Sequence, residues 1–331
     1  MTKKLSPFKR NGRFYFDKDH KPESFLFGTV PSSIRSFIER KFNMPDDDPT
    51  VWINKQDTQS HFIEPHITWL GHSSFLIQME GVNILTDPIF DRPSFIYPRI
   101  LPFGIDPDQL PPIHAILISH NHRDHMDEAS LSYLKKINNN KTHLLVPMGD
   151  KKWFQKRAFA HVYEFEWEQE LKVFNHDQTG SIICTFVPAH HWSQRGLFDK
   201  NRSLWGGWVM HTADKQIYFA GDTAYSPECF SRIRHLFPSL NCALLPIGPG
   251  EPRSWMKHSH VDANEAGQAF LEVNAQIMIP MHWGTFSFGN DHFQAPIIQI
   301  QKWWETNSHL LKEKQLVSLK IGERFSPTSK K

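Results

Sequence analysis

His120, His122, Asp124 and His125 fall within one run of six residues, His-Asn-His-Arg-Asp-His. Neutral imidazoles and an ionised carboxylate are the groups that hold zinc or a similar divalent ion, so four of them in so short a stretch point to metal ligation. The same grammar, an apolar strand followed directly by a metal-competent residue, returns three more times. It precedes His190 and His191, then Asp222 in Gly-Asp-Thr, then His282 in Met-His-Trp-Gly. Taken singly each is weak, because a lone histidine is usually a hydrogen-bonded core or surface residue and an aspartate after glycine is usually a turn residue. Converging from four strand ends, they would supply open coordination positions and a carboxylate able to bridge two ions roughly 3.5–4 Å apart. Two ions sharing a water would lower its pKa to about 7, giving a nucleophile at neutral pH without a separate strong base.

Strands and loops must aim these groups. Residues 115–119 read as a short buried strand and Asp127 as the start of a capped helix, which places the six-residue cluster on a strand-to-helix loop. Apolar segments at 67–70, 74–78 and 82–86, separated by Gly71 and the Glu80-Gly81 turn, read as hairpin-connected strands. Further strands are predicted at 144–147, 162–167, 181–187, 207–211, 216–220, 243–247 and 276–281, with helices at 128–138, 227–236 and 262–273. Asp262 with Glu265 three residues later is a capping signal for the last helix. Strands with interspersed helices imply an α/β layered fold with helices over the outer faces of two sheets. Residues 61–325 are read as one hydrolase domain, residues 1–60 as an irregular polar extension with one helix at 32–42 that packs on the core, and 326–331 as a polar tail.

Composition limits the alternatives. The 331 residues carry 37 basic and 35 acidic side chains, a formal charge of +2, which offers no field to recruit nucleic acid. Cys184, Cys229 and Cys242 show no Cys-x-x-Cys spacing and are read as buried free thiols. No apolar run approaches the roughly 18 residues of a spanning helix, and the basic N-terminus lacks a secretory signal, so a soluble, cytoplasmic protein is expected. Aromatics make up 13% of the chain, and Phe8, Phe14, Tyr15, Phe16, Phe25, Phe27 and Trp52 cluster outside the strand patterns. Packing explains most of them; a surface for an acyl chain, with peripheral membrane contact, is the functional alternative.

Wider motifs carry a family resemblance. Thr68-Trp-Leu-Gly-His72, Leu85-Thr-Asp87-Pro-Ile-Phe90, Ile118-Ser-His-Asn-His122, His191-Trp192, Phe219-Ala-Gly-Asp-Thr223, Glu251-Pro-Arg253, His260-Val-Asp262 and His282-Trp-Gly-Thr-Phe286 resemble the metallo-β-lactamase fold superfamily. Within it they are similar to the N-acyl-phosphatidylethanolamine-hydrolysing phospholipases D and their bacterial relatives, over residues 61–325. The resemblance implies a four-layer αββα sandwich and a dinuclear zinc site, although a His and Asp set without thiolates also accepts iron or manganese. It implies that His120, His122 and His191 hold one ion, that Asp124, His125 and His282 hold the other, and that Asp222 bridges. His190 competes with His191 by sequence alone; the family pattern places the ligand directly before Trp192. The implied reaction is hydrolysis of N-acyl-phosphatidylethanolamine or a related phospholipid to N-acylethanolamine and phosphatidic acid, with Asp124, Asp222 and His260 taking part, and dimers occur among the resembled enzymes.

Arg123 and Glu128 stand where the mammalian enzymes carry tyrosine, and Ser259 where they carry glutamine, departures that bear on the substrate and not on the ligands. Asp87 reads either as an acceptor for a ligand imidazole N–H or as a turn former. His260 reads either as a phosphate contact or proton donor or as part of a solvated basic loop, with Arg253 and Lys257 taken as surface charges. A lactonase or another ester or phosphate hydrolase of the same fold is the second expectation. A non-catalytic metal-binding module is the competing class, against which the intact ligand set counts.

Overall fold

The computed structural model describes residues 4–16, 48–57, 62–95 and 97–327. The first sheet begins with β3 (His66–Gly71), β4 (Ser74–Met79) and β5 (Val82–Thr86), which pair antiparallel, followed by β6 (Ala115–Leu117), β7 (His143–Pro147) and β8 (Val162–Phe165), which pair parallel. β16 (Arg324–Phe325) closes its other edge against β3. The second sheet repeats the plan. β9 (Glu170–Phe174), β10 (Ser181–Val187), β11 (Gly207–His211) and β12 (Gln216–Phe219) are antiparallel, and β13 (Cys242–Pro246), β14 (Ile277–Met281) and β15 (Gln315–Leu316) continue in parallel from β12.

Alternation along each strand explains the layers. Ile67, Trp69, Phe75, Ile77, Ile84, Ala115 and Leu117 face the second sheet in the larger core, whereas Leu70, Leu76, Leu85 and Ile116 form a second core with Leu131 and Leu134 of α1 (Glu128–Ile137). Central strands buried on both faces read as unbroken apolar runs rather than alternating ones, which is why β4 and β5 are buried along their whole length. Parallel neighbours require crossovers. α1 and α2 (Lys151–Gln155) supply them in the first sheet, and α3 (Pro227–Leu236), α5 (Ala263–Val273) and α6 (Ala295–Thr306) in the second, with the one-turn α4 (Arg253–Met256) ahead of α5. The result is the expected αββα sandwich, in which β5, β6, β10, β12 and β14 all deliver their carboxyl ends to one site.

Several expectations need adjustment. The N-terminal extension is not irregular throughout, since β1 (Phe8–Arg10) and β2 (Arg13–Tyr15) form a hairpin around Asn11 and Gly12, both with left-handed φ of 52° and 69°. Asn-Gly between extended residues is a strong hairpin signal that the sequence reading passed over. Phe14 is buried, and its N–H donates to the Asn201 carbonyl at 2.7 Å. β9 and α6 were not anticipated, although β9, on a sheet edge, alternates exposed residues with the covered Leu171 and Val173. The helix expected at 32–42 lies outside the described residues. Cys184, Cys229 and Cys242 are buried free thiols, as read. No helix among the described residues is long and apolar enough to cross a membrane.

Candidate metal centre

β6 ends at Leu117, and the chain turns at Ser119, whose N–H and hydroxyl both donate to the Asp87 carboxylate, at 2.8 and 2.5 Å. Asp87 follows β5, so two adjacent strand ends are tied together before the first histidine is reached. The loop then folds back on itself through His125 and Met126 N–H bonds to the His122 carbonyl. Gly221 lets the second sheet come close: its φ is +61°, and a Cβ there would stand 2.6 Å from the Ser119 Cβ. Only glycine accommodates both conditions.

Two groups of donors result. His120 Nε2 and His122 Nδ1 are 2.8 Å apart, and His191 Nε2 lies 3.3 Å from the same His122 atom. Beside them, His125 Nε2 is 3.3 Å from Asp124 Oδ2. Asp222 lies between the groups. Its Oδ2 is 3.2 Å from His125 Nε2, 3.9 Å from His120 Nε2 and 3.8 Å from His191 Nε2, and its Oδ1 is 3.1 Å from His282 Nε2. The structure therefore brings together every residue predicted as a ligand, and His191 rather than His190 points inward; the His190 ring stacks on Phe16, centroids 4.5 Å apart.

Outer partners fix the rings. His125 Nδ1 faces Asp87 Oδ2 at 2.8 Å, His191 Nδ1 faces the Ser259 carbonyl at 2.8 Å, and His120 Nδ1 faces the Ser119 hydroxyl at 2.9 Å. Each contact leaves the opposite nitrogen directed at the shared space. Asp87 thus contacts a histidine in the acceptor position as well as forming its turn.

The electrostatics fit a cation. Burial holds His122 neutral, its pKa lowered to about 4, and does the same for His191, lowered to about 3. Burial raises the Asp222 carboxyl, but the charges of His125 and His282 outweigh that and hold it well below the ordinary range. Burial likewise opposes ionisation of Asp124, and His125 reverses it. His125, in turn, is pushed down by burial and up by Asp222 and Asp124, with the carboxylates prevailing, so positive charge is stabilised where these groups meet. His125 Nε2, His282 Nε2 and Asp222 Oδ1 are buried and make no hydrogen bond despite their closeness. Buried nitrogen and oxygen atoms gathered this closely without hydrogen-bond geometry between them are what a bound cation would satisfy, and no thiolate is present to restrict which ion it is.

His260 stands beside this set, its Nδ1 3.7 Å from Asp222 Oδ2 and its ring centroid 5.3 Å from that of His191. Burial lowers its pKa to about 3. The loop around it departs from the solvated reading. Arg253 is not a free surface charge: it donates to the His260 carbonyl at 2.9 Å, lies 3.4 Å from Asp262 and pairs with Glu265. Lys257 is exposed, as expected. One residue was missed. His72, at the turn between β3 and β4, is buried with its Nε2 3.1 Å from Asp124 Oδ2. It obeys the same grammar of apolar strand followed by histidine, but one histidine in a hairpin turn gives no sign of which site it enters.

Comparison with known proteins agrees with this geometry. Residues 82–283 match the family model described as a beta-lactamase superfamily domain. An N-acyl-phosphatidylethanolamine-hydrolyzing phospholipase D of Caenorhabditis elegans is 30% identical across 95% of this chain and 92% of its own length. A mitochondrial protein of the same description from Saccharomyces cerevisiae is 34% identical over 69% of this chain and 49% of its own, so the chain spans about half of that relative. Among solved structures, a metallo hydrolase from the archaeon Ignicoccus hospitalis superposes with a TM-score of 0.58 at 21% identity, covering 80% of this chain and 99% of that one.

Proposed function

Because the chain belongs to the beta-lactamase superfamily and has the fold of its metal-dependent hydrolases, we propose that it is a dinuclear phosphodiesterase of phospholipase D type. Its substrate on this reading is N-acyl-phosphatidylethanolamine or a related phospholipid, cleaved to N-acylethanolamine and phosphatidic acid. The observation that carries the chemistry is Asp222, whose carboxylate lies between two groups of imidazoles, with Oδ2 near His120, His191 and His125 and Oδ1 near His282. His120, His122 and His191 would hold one cation, Asp124, His125 and His282 the other, and Asp222 both. Zinc is the proposed ion, with iron or manganese compatible with the donor set. Bound there, the pair supplies Lewis-acid polarisation of phosphoryl oxygens and a water acidic enough to act as nucleophile near neutral pH.

The protein's own groups do the rest. Asp87, Ser119 and the Ser259 carbonyl hold His125, His120 and His191 in fixed orientation, so little reorganisation accompanies reaction. A P–O bond to the attacking water forms and the P–O bond to the N-acylethanolamine oxygen breaks, with one proton of that water ending on the departing oxygen and the other on the phosphate. His260, neutral and at the rim of the donor set, is placed to give a hydrogen bond to the phosphoryl group or the departing oxygen.

Lipid is the favoured substrate class because of what surrounds the centre. Ile100, Phe286, Phe288, Phe293 and Pro296 line a small cleft of about 30 Å³ beside His282, with Asp291 and His292 at its polar side. Leu197 and Phe198, 86% and 84% exposed, form the tip of the loop that follows His191 and Trp192, and the Trp192 ring packs on His122. Such tips suit peripheral contact with a bilayer by a cytoplasmic protein, and a homodimer is the proposed assembly. The C. elegans and S. cerevisiae relatives carry the same substrate in their descriptions. Metal-loaded protein should release N-acylethanolamine from vesicles containing N-acyl-phosphatidylethanolamine, and chelation should stop it. Turnover of lactones or soluble phosphodiesters with no amide released from the vesicles would replace the lipid reading with the second expectation.

A further inference from the structure

We infer that His72 is a positioning residue for the cation position supplied by Asp124, His125 and His282. Its ring engages Asp124 Oδ2 at 3.1 Å, and its backbone carbonyl accepts the His282 N–H at 3.2 Å. One residue on the β3–β4 turn therefore touches the Asp124 side chain with its ring and the His282 backbone with its carbonyl, one from each sheet's loops.

The state of the nitrogen separates His72 from the donors. His125 Nε2 and His282 Nε2 are buried and hydrogen-bonded to nothing, whereas His72 Nε2 makes a hydrogen bond to a carboxylate. An ionised carboxylate accepts only from a nitrogen that carries a proton, and a protonated nitrogen has no lone pair for a metal. His72 stands among the donors Asp124, His125 and His282, and with the proton of that bond on Nε2 it would act on the cation through Asp124. The same oxygen, Oδ2, is the one 3.3 Å from His125 Nε2, so the His72 N–H sets the direction in which the carboxylate presents itself.

His72 is itself held on every side. Its N–H donates to the Thr285 hydroxyl at 2.7 Å, and its carbonyl also accepts from Trp69 Nε1 at 2.9 Å. Its ring lies against His282, centroids 4.0 Å apart, and is flanked by Phe286 and Phe288. Its φ of +53° is uncommon for a residue with a Cβ, and these contacts on both backbone groups and the ring are what maintain it. Asp124, by contrast, has only His72 and His125 as ion-pair partners among the described residues, so removing His72 leaves the carboxylate held from one side.

This inference rests on the metal reading of the site and not on the substrate, so it is tested without catalysis. The full-length apo protein is titrated with zinc against a chromogenic chelator, and His282→Ala identifies which of the two binding steps belongs to this position. In His72→Ala that step should weaken by about 10–100-fold, the range found for partners of metal ligands, while the other step moves by less than about threefold and so reports an intact fold. His72→Gln, whose amide N–H can reach the same oxygen, should recover most of the affinity. Unchanged affinity in His72→Ala overturns the inference. So does a Gln variant as weak as the Ala one, which would make the imidazole nitrogen itself a ligand, and so does an equal loss at both steps.

Discussion

Asp222 faces both groups of imidazoles, so the two cation positions should not be separable at this residue. Asp222→Ala should lower affinity at both steps by at least about 100-fold, the upper range for a mere ligand partner, and abolish turnover; a variant that keeps one tight ion contradicts the bridging role. His260 makes the opposite prediction. His260→Ala should lower turnover by about 100-fold while leaving bound metal unchanged, checked by activity and metal content on the same sample. At this scale the sequence was most legible where chemistry-bearing residues crowd together. His120, His122, Asp124 and His125 declare themselves by spacing, whereas His191 was separated from His190 only by the family resemblance, which places the ligand directly before Trp192. His72 and Arg253 were obscure because their roles depend on partners 52 and 12 residues away, Asp124 for the first and Glu265 for the second, which no local pattern specifies.

The elements that aim the site also store a pH dependence. Asp150, just ahead of α2 and 3% exposed, accepts from Ser203 Oγ at 2.7 Å and from Asn121 of the metal loop at 3.1 Å, while its second oxygen has no hydrogen-bond partner. Burial pushes its pKa up to about 7, against the pull of those two hydrogen bonds. The unfolded value is about 3.9, so between roughly pH 4 and 7 the folded state binds the proton that the unfolded state has lost. Stability from this group is therefore greatest below pH 4, declines as pH rises through that window, and levels off above 7. Asp150→Asn keeps an acceptor for both neighbours and removes the buried charge. It should be more stable than the parent at pH 8 by on the order of a few kcal/mol and equal to it near pH 4, as measured by denaturant unfolding of the metal-free proteins. A constant difference across pH would exclude Asp150 as the source. Strands were read well where both faces are buried, as in β5, β10 and β11, and helices where caps announce them, as with Asp262 before α5. The edge strand β9 and the helix α6 were missed although Glu170-Leu-Lys-Val alternates polar with apolar residues and Pro296 stands in the first turn of the helix.

Across the molecule, two sheets of one plan meet face to face, and the site forms where their strand ends face each other. Trp208 of β11 joins them beneath the metal loop: its Nε1 donates to the Ile118 carbonyl at 2.9 Å, and its ring packs on Phe165 of β8 and Phe186 of β10. Trp208→Ala should cost about 3–5 kcal/mol in unfolding free energy and loosen the loop as well. A loss below about 1 kcal/mol would mean the sheets do not depend on this contact. The αββα layering was foreseen from the order of strands and helices together with the motif resemblance. What sequence could not express is which strand closes which sheet, because pairing of β16 with β3 joins segments far apart in the chain. All of this has one purpose in the account, which is to gather seven side chains around two cations. Elemental analysis of the full-length protein, purified without chelator and dialysed against metal-free buffer, tests that most directly. The account predicts close to two transition-metal ions per chain, and retention of none would contradict it.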